Sequence, residues 1–216
     1  MNLTYFFLIC LFVFVTIFQN GVSQNLQFPE SVKSVSQVLK ELPKNYDTTE
    51  TLQADFNKDG FLDFAMVITN SVKPINVESP VFFLVYLGNS SKMYTILLSS
   101  TTAILPLKYG KDLTFPFAGM TFEKGKLQIF HYYGEEFITS IEDTYIFKDN
   151  SFLLAQSSNS SIERDNDMQT VIEIYNWQKG IKEVKKNNFH QNFKTKTTKF
   201  PIKPLTPITK HIPGTI

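Results

Sequence analysis

Cysteine is all but missing. The 216 residues contain one, Cys10, and it sits inside the apolar first segment. A chain processed beyond that segment keeps no thiol, which excludes disulfide staples, thiolate metal sites and a cysteine nucleophile together. Histidine is scarce too: His131, His190 and His211 are the only three. Nine scattered glycines cannot build a glycine-rich phosphate loop, and neither G-x-S-x-G nor H-E-x-x-H occurs. Charged residues make up 19%, with a net charge of +1. That near-neutrality is an average of two unlike segments. Residues 25–177 carry 12 Lys+Arg against 19 Asp+Glu, a balance of −7, whereas 178–216 carry nine Lys against Glu183 alone, a balance of +8.

Aromatic residues are abundant: 14%, with 21 Phe and 9 Tyr. Such side chains suit pleated, half-buried surfaces, so the composition leans towards sheet. Residues 3–18 are almost wholly apolar, and no charge appears before Glu30. A run of about 14 apolar residues has the length of a secretion-signal core and is short of the ~20 that span a bilayer. Gly21-Val22-Ser23 supplies small residues for cleavage, so the mature chain is expected to start near Gln24 or Asn25, with no membrane span, in a secreted or periplasmic location. The alternative is an uncleaved N-terminal anchor, favoured by the lack of Lys or Arg ahead of the apolar run. Leu8-Ile9 before Cys10 do not suit a lipoprotein signal. The expected organisation is a signal peptide at 1–24, a β-rich domain at 25–177 and a basic Lys/Thr/Pro-rich tail at 178–216.

Within the domain, Val32, Val35, Val38, Leu39 and Leu42 recur at helical spacing, which predicts an amphipathic helix over 30–42 that Pro43 stops. Residues 48–54 read as a short strand leading into an acidic loop, and Phe64-Ala65-Met66-Val67-Ile68 as a buried strand after it. Further strands are predicted at 81–87, 94–99, 120–123, 126–133, 144–147, 152–156 and 168–175. Turn residues such as Gly88-Asn89-Ser90-Ser91, Lys124-Gly125 and Asp149-Asn150-Ser151 separate them. The fold class is therefore mainly β: an antiparallel meander, as a curved sheet or a partial, propeller-like barrel, with one N-terminal helix. Regular structure is expected to end near Trp177, because Pro201, Pro204, Pro207 and Pro213 interrupt an extended tail that lies along the domain or stays mobile. Its charge reads as a solvated tail, or more sharply as contact with an anionic surface. Nucleic acid is not expected behind a secretion signal.

The acidic loop carries the chemistry. Asp55, Asn57, Asp59 and Asp63 stand at loop positions 1, 3, 5 and 9, with Gly60 at position 6 and the Phe61 carbonyl at position 7. Odd positions converge as such a loop wraps, glycine permits the sharp turn, and hard oxygen donors without nearby His or Cys suit Ca²⁺ over zinc. The helix–loop–helix motif would place a bidentate Glu at position 12, but Met66 stands there, so Asp63 is the expected closing ligand. The competing reading is a metal-free set of Asx turns.

The stretch Ala54-Asp55-Phe56-Asn57-Lys58-Asp59-Gly60-Phe61-Leu62-Asp63-Phe64-Ala65 resembles the calcium loop of FG-GAP/VCBS-type repeats, as in integrin α-subunit propellers, which reads D-x-[DN]-x-D-G-x-x-D between two strands. The resemblance implies one Ca²⁺ held by Asp55, Asn57, Asp59, the Phe61 carbonyl and Asp63. It covers about 12 residues, and a propeller would need several such loops where this chain has one. The order of helix, loop and meander also resembles single-loop secreted or periplasmic bacterial proteins of unassigned function, which implies a location and a metal but no activity.

The expected function is thus a secreted, non-enzymatic domain with one structural Ca²⁺ that binds a protein or glycan. The alternative is a hydrolase with an acidic site near Glu135, Glu136 and His131. Glu142-Asp143 is a further acid pair, and Asp165-Asn166-Asp167 reads as a turn or a second ion site. Asn89 and Asn159 begin formal glycosylation sequons in predicted turns, and Tyr132, Tyr133 and Trp177 are candidates for a ligand-binding face.

Overall fold

A computed structural model describes residues 26–70, 81–106, 116–134, 137–163, 169–187 and 193–215. The predicted signal, Cys10, Glu135, Glu136, Asp165-Asn166-Asp167 and His190 lie outside them.

Two antiparallel sheets stack face to face. The smaller contains β1 (Ser31–Val32), β2 (Tyr46–Ala54), β3 (Asp63–Asn70), β4 (Phe82–Gly88) and β5 (Tyr94–Ser100), in the order β1-β5-β4-β3-β2. The larger is a seven-stranded meander of β6 (Phe117–Glu123), β7 (Lys126–Tyr133), β8 (Phe137–Lys148), β9 (Ser151–Glu163), β10 (Thr170–Asn176), β11 (Ile181–Asn187) and β12 (Lys194–Lys199). The mainly β meander with one helix is met; its form is two open sheets. The helix α1 (Val35–Glu41) is shorter than its sequence pattern, because Ser31 and Val32 pair with β5 instead.

The unbroken apolar runs have a physical cause: β3 and β4 are covered on both faces. Ala65, Val67, Phe83 and Val85 face the larger sheet and pack with Met120, Leu127, Ile129, Tyr145 and Phe152. Phe64, Met66, Phe82, Leu84 and Tyr86 face the other way, under Val32, Val38 and the half-buried Phe28 and Val35 of the N-terminal segment. Phe64 stacks on Tyr86 at 4.8 Å, and the Tyr86 hydroxyl donates to the Pro29 carbonyl at 2.9 Å, which fixes that segment. The hairpin turns are those read from sequence. Lys124 (φ 52°) and Gly125 (φ 75°) between β6 and β7, and Asp149 (φ 51°) and Asn150 (φ 58°) between β8 and β9, are two-residue turns with both residues left-handed, matching strand twist.

The two sides of the sandwich are tied differently. At one edge the Glu50 carboxylate of β2 accepts the Met120 N–H of β6 at 3.1 Å. At the other, the chain beyond Phe200 returns across the inner face of the larger sheet. Leu154 N–H donates to the Thr206 carbonyl at 2.8 Å, Leu153 bridges Pro207, and Ile208 is fully buried.

Regular structure therefore continues past Trp177, contrary to the expected tail. Strand β11 pairs along its whole length with β10, and β12 with β11. The Lys/Thr composition hid them, since neither strand buries an apolar face. The prolines act only after β12, where the chain does run extended along the domain.

Candidate functional site

The loop at 55–63 joins β2 to β3 and is shaped by its own side chains. Lys58 (φ 64°) and Gly60 (φ 88°) are both left-handed, which coils the chain so that Asp55, Asn57 and Asp59 turn to one side. The Asp59 N–H donates to Asp55 Oδ1 and Asn57 Oδ1, each at 3.1 Å. Gly60 N–H donates to Asp55 Oδ2 at 2.9 Å and Phe61 N–H to Asp59 Oδ1 at 2.9 Å. Asn57 Nδ2 donates to Asp59 Oδ2 at 2.9 Å.

Asp63 is the anchor of the loop and is fully buried. Its Oδ2 accepts Phe56 N–H at 2.7 Å and its Oδ1 accepts Gly88 N–H at 2.9 Å. Burial pushes its carboxyl above the usual value; the Gly88 and Phe56 N–H groups pull it down, and the negative Asp59 pushes it up again. Gly88 is held so closely that an added Cβ would fall 2.2 Å from the Leu62 carbonyl oxygen. Phe56 projects from the loop into the space between the sheets, with its ring 5.0 Å from that of Phe122 and 5.6 Å from that of Phe152. The Lys58 stem lies over the β6–β7 turn, against Gly125. One short loop thus touches both sheets.

The four sequence-predicted side-chain donors, Asp55, Asn57, Asp59 and Asp63, all carry the hard oxygens that a cation such as Ca²⁺ takes. Asp55, Asn57 and Asp59 share one side of the coil, and Asp63 lies near enough for the Asp59 charge to act on it. They are not drawn tight. Among the described residues no three Asp, Glu, His or Cys side chains gather closely enough to hold a metal ion. The carboxylates hold backbone N–H groups, and the Asn57 amide turns its NH₂ towards Asp59. Each carboxylate oxygen that accepts one N–H still keeps a lone pair. Asp59 is exposed and Asn57 half-exposed.

A second set of polar residues, not grouped by the sequence reading, lies inside the sandwich. His131 of β7 is 1% exposed and its Nε2 accepts the Leu105 N–H at 3.3 Å. Burial lowers its pKa to about 4, with Asp143 opposing and His211 adding to the shift. Asp143 of β8 pairs with His211 of the C-terminal segment, Oδ2 to Nε2 at 3.0 Å, both buried. Tyr145 lies beside them, its ring 6.1 Å from that of His211 and its hydroxyl pKa raised by burial. The strand alternation that aims 127, 129 and 131 inward was readable; the arrival of His211 from 68 residues away was not.

Other candidates fall apart. Tyr132 is exposed on the outer face, while Trp177 stacks on Tyr175 at 5.5 Å and meets Phe200, so Tyr132 does not share a face with Trp177. Asn89 does sit in a turn, its Oδ1 accepting Ser91 N–H at 2.9 Å. Asn159 does not: it pairs with Ile141 and Glu173 in mid-strand, and its Oδ1 is buried. A polar cleft of about 280 Å³ opens between Gln128, Glu142, Thr144, Gln156 and Asn176 on the larger sheet. Among the described residues no helix is long and apolar enough to cross a membrane. No protein-family model matches the chain, and no curated protein or solved structure is significantly similar to it.

Proposed function

We propose that this chain is an exported, non-enzymatic binding domain of the single-loop FG-GAP/VCBS kind, in which one Ca²⁺ held by the loop at 55–63 pins the two sheets together. The observation that carries this reading is the loop's double attachment: Asp63 holds the Phe56 N–H, and Phe56 fills the gap between the sheets. A cation drawn to Asp55, Asn57, Asp59, the Phe61 carbonyl and Asp63 would lock the coil from which Phe56 projects. The Asn57 amide would turn its oxygen inward in place of its NH₂. The mutual repulsion of Asp59 and Asp63 supplies the electrostatic reason for a cation to enter.

Calorimetric titration tests this. CaCl₂ is expected to bind with one-to-one stoichiometry, more tightly than MgCl₂, whose demand for octahedral coordination suits a flexible loop poorly. The absence of any calcium heat in the wild type, or an undiminished heat in Asp59→Ala, would remove the metal from the account. A catalytic reading of Glu135, Glu136 and His131 gains nothing from His131, which is buried and bonded to the Leu105 N–H.

A further inference from the structure

The C-terminal basic segment is a built surface. All nine of its lysines lie among the described residues, six of them on β11 and β12. The register sorts them by face. Lys182, Val184 and Lys186 stand opposite Thr198, Lys196 and Lys194. They share their face with Tyr175 and Glu173, since Lys182 pairs with Tyr175 and Val184 with Glu173. This strip therefore holds four lysines against one glutamate. Glu173 is already taken by Lys182 at 3.0 Å. Lys186, Lys194 and Lys196 have no ion-pair partner among the described residues, and all three are exposed.

Two features separate this strip from an ordinary solvated edge. Lysines on an edge strand guard against pairing with other chains, which accounts for β12. It does not account for Lys182 and Lys186 on β11, which is paired on both sides. Moreover, Lys186 lies directly opposite Lys194, an arrangement of like charges that destabilises a sheet. A fold gains nothing from it. An anion bridging the two ammonium groups relieves it.

We propose that this strip binds a linear anionic polysaccharide, sulfated or carboxylated, laid along β11 and β12. Successive lysines on one face of a strand stand about 7 Å apart and cross-strand neighbours about 5 Å apart. Lys186, Lys194 and Lys196 thus stand within about one Debye length (~8 Å) of each other, so their fields reinforce one another. The strip is two strands wide and on the side where the smaller sheet and the C-terminal segment pack, which suits a chain better than a flat bilayer. The Tyr175 ring is covered by Trp177 and by the Lys182 ammonium, 4.6 Å from its centroid, so it offers no platform to a nucleic-acid base.

This names a ligand class for the binding domain proposed above and rests on that reading. Heparin binding measured in EGTA keeps its failure distinct from failure of the calcium site. In about 0.05 M salt the protein is expected to bind heparin, with affinity falling steeply as salt rises. The Lys186→Gln, Lys194→Gln, Lys196→Gln variant is expected to bind roughly tenfold or more weakly and to melt no lower than the wild type. Neutralising the exposed Lys33, Lys40 and Lys44 instead removes the same charge and should leave affinity nearly unchanged. Absence of heparin binding, equal losses in the two triple variants, or a lower melting temperature of the strip variant would each overturn the proposal. So would tighter binding to phosphatidylserine vesicles or to a single-stranded oligonucleotide than to heparin.

Discussion

The carboxylate of Asp63 accepts the N–H of Phe56 at 2.7 Å, from seven positions further along the chain. Two consequences follow from that bond. It closes the loop without help from any other element, and it sets the direction in which Phe56 enters the core. The other oxygen of Asp63 takes the Gly88 N–H, so the same side chain ties the loop to β4.

Phe56→Ala should be among the most damaging single changes. The ring is 1% exposed and packs edge-on against Phe122 and Phe152. Its removal leaves a cavity between the sheets and is expected to destabilise the protein by about 3–5 kcal/mol. Urea unfolding measures this directly; a loss under about 1 kcal/mol would mean that the loop does not join the sheets.

Gly88→Ala tests the close approach of β4 to the loop. A methyl group there meets the Leu62 carbonyl oxygen, which is backbone and cannot swing aside. The expected result is a loss of at least about 1–3 kcal/mol, together with faster hydrogen exchange at the Gly88 and Phe56 amides as their bonds to Asp63 weaken. An unchanged exchange pattern would show that the contact is slack.

The Asp143–His211 pair holds the returning C-terminal segment. Removing one partner leaves the other polar group buried and unmatched, which costs about 3–5 kcal/mol. Asp143→Asn and His211→Ala are expected to be individually severe, and the double variant less severe than their sum. Additive losses would show that the two residues act independently.

His131 makes stability depend on acid. Its ring stays neutral in the folded chain down to about pH 4, whereas an unfolded-chain histidine takes up a proton near pH 6.5. Between these values the unfolded state binds more protons. Stability is therefore complete above about pH 6.5 and falls as pH drops towards 4, by up to about 3 kcal/mol. Urea unfolding of the wild type and His131→Gln at pH 7 and pH 4.5 checks this. The variant should be less stable at pH 7 but lose less on acidification; equal losses in both would assign the effect elsewhere.

The sheet class was legible because β3 to β7 carry strong signals: the doubly buried runs at 64–68 and 82–87, and Lys124-Gly125 with its left-handed turn. Stacking into two layers was not, since alternation tells which residues turn inward but not which sheet they meet. Strands β11 and β12 were missed because they are held by ladder hydrogen bonds, β11 to β10 and β12 to β11, and their Lys-rich sequences leave no apolar period. The helix was overestimated for the converse reason: Val32 fits the helical spacing, but pairing with Tyr94 claims it. In the candidate site the spacing of the oxygen side chains was plain, whereas the part played by Phe56 was not, because nothing in the loop motif marks position 2 as a core residue. His131 looked like a strand histidine and is one; its neighbour His211 is separated from it by 80 positions of chain.

Thermal unfolding in calcium and in EGTA tests the stapling loop most directly. At a calcium concentration about a hundredfold above the dissociation constant, binding to the folded state alone adds about 2.7 kcal/mol. For a chain of this size that raises the melting temperature by roughly 5–10 °C. The rise should be absent in Asp59→Ala. Equal melting temperatures in calcium and EGTA, with calcium at millimolar levels, would contradict a cation pinning the two sheets.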